Sequence, residues 1–313
     1  MNAHTLENGA CRAGNGRPAD EFLRIETPPA MPLSAALAAW EREAVRDVCD
    51  TGRYRMPYFV WGTGPPLIFI HGLADRSKAF VAAMAALRRE FTCIGYDLPA
   101  GGPDGARLGA YRHHHLVEDL FAVLDRLRVR QAHLYGSSFG STIVLAALHA
   151  RSGWATRGVL QGGFAHRPLT HRERILCQFA RYWPGPLKTL PLRARLDHPS
   201  DVRVFRESPD EFRFHRDNSG DLPKAAVARR GLMTLEMDLR PQLPDIRQPV
   251  LMICGDCDTV VPAACEQPLL EGLPHVARVE LPTCGHYPHY THAPLVAEVV
   301  RQFLGAPACR VGA

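Results

Sequence analysis

The sequence predicts an α/β fold in which helices cover both faces of a parallel β-sheet. Short apolar runs alternate with segments whose apolar residues recur at helical spacing, and this alternation is typical of strand–helix–strand units. The run at residues 67–70 is apolar throughout, as expected for a strand buried on both faces. With 46% hydrophobic residues in 313, the chain is long enough to build a large core.

The elements follow one another along the chain. Residues 1–32 are rich in Gly, Ala, Asn and Pro without an apolar period, so we expect a flexible tail. Apolar residues then fall at helical spacing from Leu33 to Val48, which predicts a helix over 33–48. Apolar runs predict seven strands, at residues 58–61, 67–70, 91–96, 133–135, 158–160, 250–253 and 276–281. Helical spacing predicts further helices at residues 78–89, 116–127, 142–150 and 295–303.

Residues 164–247 break the alternation. They contain no clear strand, but they show helical patterns, several prolines and many arginines, and we interpret them as a helical insertion. Residues 165–247 hold 16 basic and 11 acidic side chains, an excess that equals the net charge of the whole chain, +5. The predicted core is then 33–163 and 248–306, followed by a second tail, 307–313.

Composition excludes several classes of protein. The net charge of +5 is far from the basic stripe of a nucleic-acid-binding protein, so no nucleic-acid partner is expected. No stretch approaches the ~18 apolar residues of a membrane span, and no apolar signal core precedes residue 30. Nine scattered cysteines, an odd number, suggest free thiols in a reducing cytoplasm. We therefore expect a cytoplasmic protein, and the sequence leaves its oligomeric state open.

The segment Gly-Ser-Ser-Phe-Gly at 136–140 fits the pattern G-x-S-x-G. It follows a predicted strand and precedes a predicted helix, which is the context of a sharp turn that exposes the central serine hydroxyl. Ser138 is therefore the candidate nucleophile, whereas its neighbour Ser137 is interpreted as structural. The helix that begins here also presents free backbone N–H groups to a developing negative charge.

A serine nucleophile needs an adjacent base, and the base needs a carboxylate. His286 follows the last predicted strand in Cys-Gly-His, and we prefer it as the base over His289 and His292. Asp258 follows the strand at 250–253, and we prefer it as the acid over Asp256, interpreted as a turn residue. The order Ser, Asp, His is the one known for hydrolases with this strand–turn–helix motif.

We expect a second loop to supply one of the two oxyanion donors. The strand at 67–70 ends in His71-Gly72-Leu73, where a backbone N–H could meet the negative charge of a tetrahedral intermediate. We expect the N–H groups of Leu73 and Phe139 to form this oxyanion hole. His71 itself is interpreted as a residue that packs beneath the site.

These motifs together resemble the α/β-hydrolase superfamily, in the branch with a serine nucleophile. The resemblance covers about residues 54–304 and rests on five motifs: His71-Gly72, Tyr96-Asp97-Leu98-Pro99, the Ser138 turn, Gly255-Asp256-Cys257-Asp258 and Gly285-His286. It implies a mostly parallel eight-stranded sheet, a helical lid at 164–247 after the sixth strand, a triad of Ser138, Asp258 and His286, and no cofactor.

The sequence departs from related patterns at three places. Serine rather than aspartate occupies the nucleophile position, which argues against many epoxide hydrolases and dehalogenases. Leu73-Ala74 follows the His-Gly turn in place of a Gly-rich run. The stretch 100–105 lacks the usual Gly-His-Gly turn, which affects one pocket wall but not the triad.

Other chemical groups favour ordinary roles. Consecutive histidines at 113–115 point in different directions on a helix, so we expect a solvated helix start and no metal site. Cys254 and Cys257 lack a second ligand pair nearby, which argues against zinc or redox chemistry. Acidic residues at 207, 210 and 211 could bind a free amine but are interpreted as a helix face.

The sequence thus predicts a serine hydrolase that cleaves a small ester-like or acyl substrate through an acyl-enzyme. Its partner would be a small-molecule substrate. Three alternatives stay open: a sensor of the same fold with slow or no turnover, a carbon–carbon bond hydrolase, and an aminopeptidase using the same triad.

Overall fold

A computed structural model of the chain describes residues 31–190 and 203–305. Its centre is one eight-stranded sheet in the order β1-β2-β4-β3-β5-β6-β7-β8. The strands are β1 (Val45–Asp50), β2 (Arg55–Trp61), β3 (Pro66–Ile70), β4 (Thr92–Tyr96), β5 (Ala132–Ser137), β6 (Ala155–Gln161), β7 (Val250–Gly255) and β8 (Val276–Leu281). β2 runs antiparallel to β1 and β4, and every other pairing is parallel. The predicted mostly parallel, eight-stranded α/β fold is confirmed.

Helices connect these strands. They are α1 (Leu33–Glu43), α2 (Val81–Leu87), α3 (His113–Arg126), α4 (Phe139–Ala150), α5 (His171–Ala180), α6 (Pro209–Gly220), α7 (Lys224–Glu236), α8 (Ala263–Gly272), α9 (Pro288–Thr291) and α10 (Ala293–Gly305). Within the described ranges, none of them is long and apolar enough to cross a membrane.

Strand β3 shows why the sheet is covered on both sides. Ile68 and Ile70 belong to the apolar cluster that contains residues of α3 and α4. The alternate residues, Leu67 and Phe69, belong to a second cluster, which contains residues of α1, α2 and α10. All four side chains are inaccessible to solvent. A strand between two helical layers must be apolar at every position, which is the pattern at 67–70.

The strand order reverses at β3, which has β4 on one side and β5 on the other. In open α/β sheets, this reversal opens a crevice beyond the carboxyl ends of the two central strands. The loops after β3 and β5 carry Leu73 and Ser138, so the candidate site lies at this crevice.

The predicted helix over 33–48 is too long. Helix α1 ends at Glu43, Ala44 is extended, and Val45 and Val48 lie in the edge strand β1. Both valines are exposed, so their spacing reflects no buried helix face. Valine is β-branched and favours strands. The antiparallel pairing of β1 with β2 provides hydrogen-bond partners for backbone N–H and C=O groups that would otherwise pair within a longer helix.

The segment that interrupts the strand–helix alternation lies between β6 and β7, and its described part contains α5, α6 and α7. The side chain of Thr170 accepts the N–H of Glu173, whose carboxylate accepts the N–H of Thr170, and this reciprocal cap starts α5. Residues 191–202 lie outside the described ranges, as do 1–30 and 306–313, which hold almost all of the predicted tails 1–32 and 307–313.

Candidate active site

Ser138 occupies a strained turn between β5 and α4. Its φ of 51° and ψ of −117° lie outside the ordinary regions for a side-chain-bearing residue. Close packing enforces this turn, since a Cβ on Gly140 would stand 2.2 Å from the carbonyl oxygen of Ile70. The Ser138 N–H donates to the Gln161 carbonyl at 2.8 Å. The turn therefore holds a half-buried serine at the carboxyl edge of the sheet.

His286 and Asp258 form a buried hydrogen-bonded pair. The distance from Nδ1 of His286 to Oδ2 of Asp258 is 2.7 Å, and each side chain is 3% exposed. The other carboxylate oxygen accepts the N–H groups of Val260 and Val261 at 2.8 and 3.0 Å. With Nδ1–H donated to the carboxylate, a neutral imidazole carries its lone pair on Nε2.

This environment favours the ionised form of Asp258. Burial acts to raise the pKa of the carboxyl, but the neighbouring His286 and the two backbone N–H donors outweigh it, so the pKa of Asp258 lies below its usual value. The carboxylate is thus charged at neutral pH and stabilises a protonated imidazole.

The alternative acid and bases occupy other positions. Asp256 accepts the N–H groups of Thr283 and Cys284 at 2.9 and 3.0 Å, so it shapes the turn that precedes His286. Nδ1 of His292 lies 2.8 Å from the adjacent Thr291 hydroxyl. His289 is buried in a separate polar cluster. Of the three histidines and two aspartates, only His286 and Asp258 meet in the described part of the chain.

Gly162 links the serine turn to the His–Asp pair. It directly follows Gln161, which receives the Ser138 N–H. A Cβ on Gly162 would stand 3.0 Å from Nδ1 of His286 and 3.3 Å from Oδ2 of Asp258. Ser138 follows β5, Asp258 follows β7 and His286 follows β8, so all three predicted triad residues lie beyond one edge of the parallel part of the sheet.

The loop after β3 passes beside the serine. A Cβ on Gly72 would stand 3.5 Å from the Ser138 Cβ, and the next residue is Leu73. Phe139 is the first residue of α4, where a helix leaves its N–H groups unpaired. Within the described ranges, neither the Leu73 N–H nor the Phe139 N–H has a hydrogen-bond acceptor in the protein.

His71 has the structural role expected for it. Its Nε2 accepts the Leu98 N–H at 2.9 Å, and its Nδ1 lies 2.8 Å from the Gly72 carbonyl oxygen. Burial, aided by the charge of Arg230, lowers the pKa of His71 to about 4. The imidazole is therefore neutral at physiological pH and joins the loops after β3 and β4.

Sequence reasoning missed a buried polar cluster beneath the site. Asp75 accepts the Tyr290 hydroxyl at 2.9 Å and the Asn218 side-chain amide at 2.7 Å. Its other oxygen lies 3.4 Å from Nε2 of His289, and the opposite ring nitrogen contacts the Gln161 amide. No local motif marks these residues, although Asp75 and His289 stand two and three positions after Leu73 and His286.

The histidine run at 113–115 requires a correction. His114 is exposed, but His113 is partly buried and its Nε2 lies 2.8 Å from the Thr142 hydroxyl. Because α3 packs against α4, one of the three rings turns inward, so the helix start is not solvated throughout. Burial lowers the pKa of His113 to about 4.

The remaining polar groups offer no further chemistry. Glu207 and Asp210 are exposed and Glu211 is partly exposed around the start of α6, so these three side chains do not form an internal amine site. Burial raises the pKa of the Cys254 thiol well above its usual value, and a hydrogen bond with Asp256 raises that of Cys257. Among the described residues, no group of three or more metal-ligating side chains comes together.

Comparison with known proteins agrees with this fold. The sequence profile of the alpha/beta hydrolase fold matches residues 65–293. The chain belongs to the alpha/beta hydrolase family.

Relatives within the alpha/beta hydrolase family include enzymes of several names. A pimeloyl-[acyl-carrier protein] methyl ester esterase of Shewanella sp. (strain MR-7) is 28% identical over 255 residues, covering 74% of this chain and 87% of the relative. A putative carbamate hydrolase, RutD, of Azorhizobium caulinodans is 27% identical over 243 residues, covering 73% and 87%.

Solved structures show the same fold. A hydrolase from Pseudomonas aeruginosa PA01 superposes with a TM-score of 0.72 at 22% identity, covering 83% of this chain and 98% of that one. The enol-lactonase from Burkholderia xenovorans LB400 gives a TM-score of 0.71 at 20% identity, covering 83% and 100%. This alpha/beta hydrolase is therefore similar over most of its length to proteins named as hydrolases.

Proposed function

We propose that this alpha/beta hydrolase is a serine hydrolase that cleaves a small ester-like or acyl substrate through an acyl-enzyme. The observation that carries the proposal is that a strained serine turn and a buried His286–Asp258 hydrogen bond of 2.7 Å lie beyond the same edge of the sheet, linked through Gln161 and Gly162. A hydroxyl on such a turn needs only a neighbouring imidazole to become a nucleophile.

In the proposed mechanism, Ser138 Oγ attacks the substrate carbonyl carbon while its proton passes to Nε2 of His286. Asp258 stabilises the resulting imidazolium. The tetrahedral oxyanion is held by the N–H groups of Leu73 and Phe139. The intermediate collapses, and the leaving group takes the proton from His286. Water, deprotonated by His286, then attacks the acyl-enzyme, and its collapse releases the acid and restores Ser138.

Two findings favour an ester-like substrate. One relative in the family is by name a methyl ester esterase, and esters are the least demanding substrates for this triad. Glu207 and Asp210 are exposed and Glu211 is partly exposed, so these candidates do not form a buried amine-binding cluster, which disfavours the aminopeptidase alternative. Carbon–carbon bond hydrolysis and slow-turnover sensing use the same residues and are separated by assay.

We further propose that residues 164–247 form a lid over the site. Two contacts support this: α6 reaches the loop after β3 through Asn218 and Asp75, and α7 reaches it through Arg230 and Leu73. A cytoplasmic location is part of the same proposal. Six cysteines of the described ranges are free thiols, as expected in a reducing compartment: Cys49, Cys93, Cys177, Cys254, Cys257 and Cys265.

The test is turnover of short-chain p-nitrophenyl esters, combined with labelling by a fluorophosphonate. We expect the native enzyme to hydrolyse the esters and to be labelled. The Ser138→Ala variant should neither hydrolyse the esters nor be labelled. Ser137→Ala is the matched control, because it removes the neighbouring hydroxyl and should leave the labelling site intact. Labelling that persists in Ser138→Ala contradicts the proposal. Thermal stabilisation by an ester without product formation favours the sensor.

A further inference from the structure

Arg230 is a fully buried cation on helix α7. Its residue is 2% exposed, and it makes no salt bridge within the described ranges. Its guanidinium instead donates to three backbone carbonyls: Leu73 at 2.9 Å, Leu98 at 3.0 Å and Pro99 at 3.1 Å. Burying a cation without a carboxylate in contact costs free energy. The three carbonyls that this cation binds therefore indicate what its burial achieves.

All three carbonyls belong to loops at the carboxyl ends of β3 and β4. Leu73 is the residue whose N–H is assigned to the oxyanion, and it lies one residue beyond Gly72, which adjoins Ser138. A guanidinium is suited to this task, because its planar fork of donors can reach several carbonyls at fixed angles. An ammonium group would act as a single point of attachment.

The same loop is held at a second point. Two residues after Leu73, the Asp75 carboxylate accepts the Asn218 amide of helix α6 at 2.7 Å. Two helices of the 164–247 segment, α6 and α7, therefore hydrogen-bond to residues 73–75. The preceding residue, Gly72, adjoins Ser138.

We propose that Arg230 is a positioning residue, whose guanidinium holds the Leu73 carbonyl and thereby fixes the backbone at residue 73, so that the Leu73 N–H, in the preceding peptide group, points to the oxyanion of the intermediate. This inference rests on the acyl-enzyme mechanism proposed above. It makes the 164–247 segment part of the catalytic apparatus rather than only a wall of the substrate pocket. A misplacement of about 1 Å in such a site can cost about 10²-fold in rate.

The test compares Arg230→Met with Lys224→Met. Lys224 is a matched control because it is a second buried cation on α7 (3% exposed) that donates to a carbonyl, that of Pro184, within the 164–247 segment. We expect Arg230→Met to lower kcat by about tenfold to a hundredfold with KM nearly unchanged. Lys224→Met should lose thermal stability but keep kcat.

A second readout reports the oxyanion directly. A trifluoromethyl ketone forms a serine adduct that carries an oxyanion. Its inhibition constant should therefore rise in Arg230→Met by about the same factor by which kcat falls. The alcohol analogue of the inhibitor, which forms no adduct, should bind both forms equally. Arg230→Lys should recover part of the loss, since it restores the charge but not the fork.

The outcomes separate cleanly. If Arg230→Met keeps kcat and trifluoromethyl ketone affinity while losing stability as Lys224→Met does, Arg230 is only a structural anchor and the inference is wrong. If Arg230→Met does not fold, kcat and the inhibition constant are compared between the native enzyme and Arg230→Lys, and unchanged values overturn the inference. Retained activity in Ser138→Ala is a different failure, because it removes the acyl-enzyme mechanism itself.

Discussion

Gly162 lies directly behind the imidazole of His286: a Cβ at this position would stand 3.0 Å from both Nδ1 and Cε1 of the ring. The glycine also adopts a positive φ of 52°, which a residue with a side chain adopts only with strain. Two separate physical reasons therefore require glycine here, one from the backbone and one from the position of the ring.

We expect Gly162→Ala to lower both stability and activity. The positive φ costs about 1–2 kcal/mol, and the added methyl displaces His286, which we expect to lower kcat by at least about tenfold. The control is Gly52→Ala, because Gly52 has a φ of 79° and no atom within 4 Å of its added Cβ. Thermal unfolding and ester turnover measure the two effects. Similar kcat losses in both variants would show that the imidazole position is not what matters.

The carboxylate of Asp258 has a distinct expected signature. Asp258→Asn keeps the shape of the side chain but removes the negative charge and can reverse the preferred tautomer of His286, so kcat should fall by on the order of 10⁴. Asp256→Asn, two residues earlier, alters only the turn held by Thr283 and Cys284. It should reduce stability and leave most of the activity. Steady-state kinetics on both purified variants test this. If Asp256→Asn were the inactive variant, the acid of the triad would be Asp256 and not Asp258.

The pH dependence of kcat/KM should show a single acid limb. A general base must be neutral to act, so activity rises with pH as His286 loses its proton. Two other buried histidines, His71 and His113, have pKa values lowered to about 4 by burial, so they are neutral across this limb. The limb should therefore keep its position in His113→Gln. If the limb moves or disappears in His113→Gln, it reports His113, and the assignment of the limb to His286 is wrong.

Stability should fall as the pH is lowered from about 6.5 to about 4. The pKa of His71 is about 4 in the folded chain against an ordinary 6.5. Below 6.5, the unfolded chain therefore binds a proton that the folded chain excludes, and unfolding is favoured. Urea unfolding across this window should show a shallower pH dependence in His71→Gln. An unchanged slope would mean that His71 titrates normally in the folded protein.

Residues marked by local sequence rules were placed where expected in the sheet. Ser138 follows a strand and opens a helix, and Asp258 and His286 follow strands that end at the same edge. The apolar run at 67–70 identified a central strand because both of its faces are buried. These signals depend on residues close together in the chain, so they can be read from one sequence.

The misses have two physical causes. Val45 and Val48 were assigned to a helix because an exposed edge strand has no buried face to impose alternation. Arg230 and Asp75 acquire their roles through partners at least 131 positions away, and Gln161 through His289, 128 positions away. Their side chains are polar, and nothing in their immediate neighbours distinguishes a buried polar residue from a solvated one.

The hydrogen bonds of Arg230 to two core loops limit which segments can replace residues 164–247 in a chimaera. Replacing residues 164–247 with the corresponding segment of another protein would leave the carbonyls of Leu73, Leu98 and Pro99 without their donor. A buried carbonyl left unsatisfied costs about 1–3 kcal/mol. A transplanted segment must therefore bring its own donors to these three oxygens or admit water to them. Chimaeras should be designed with both loops and the segment as one exchangeable unit.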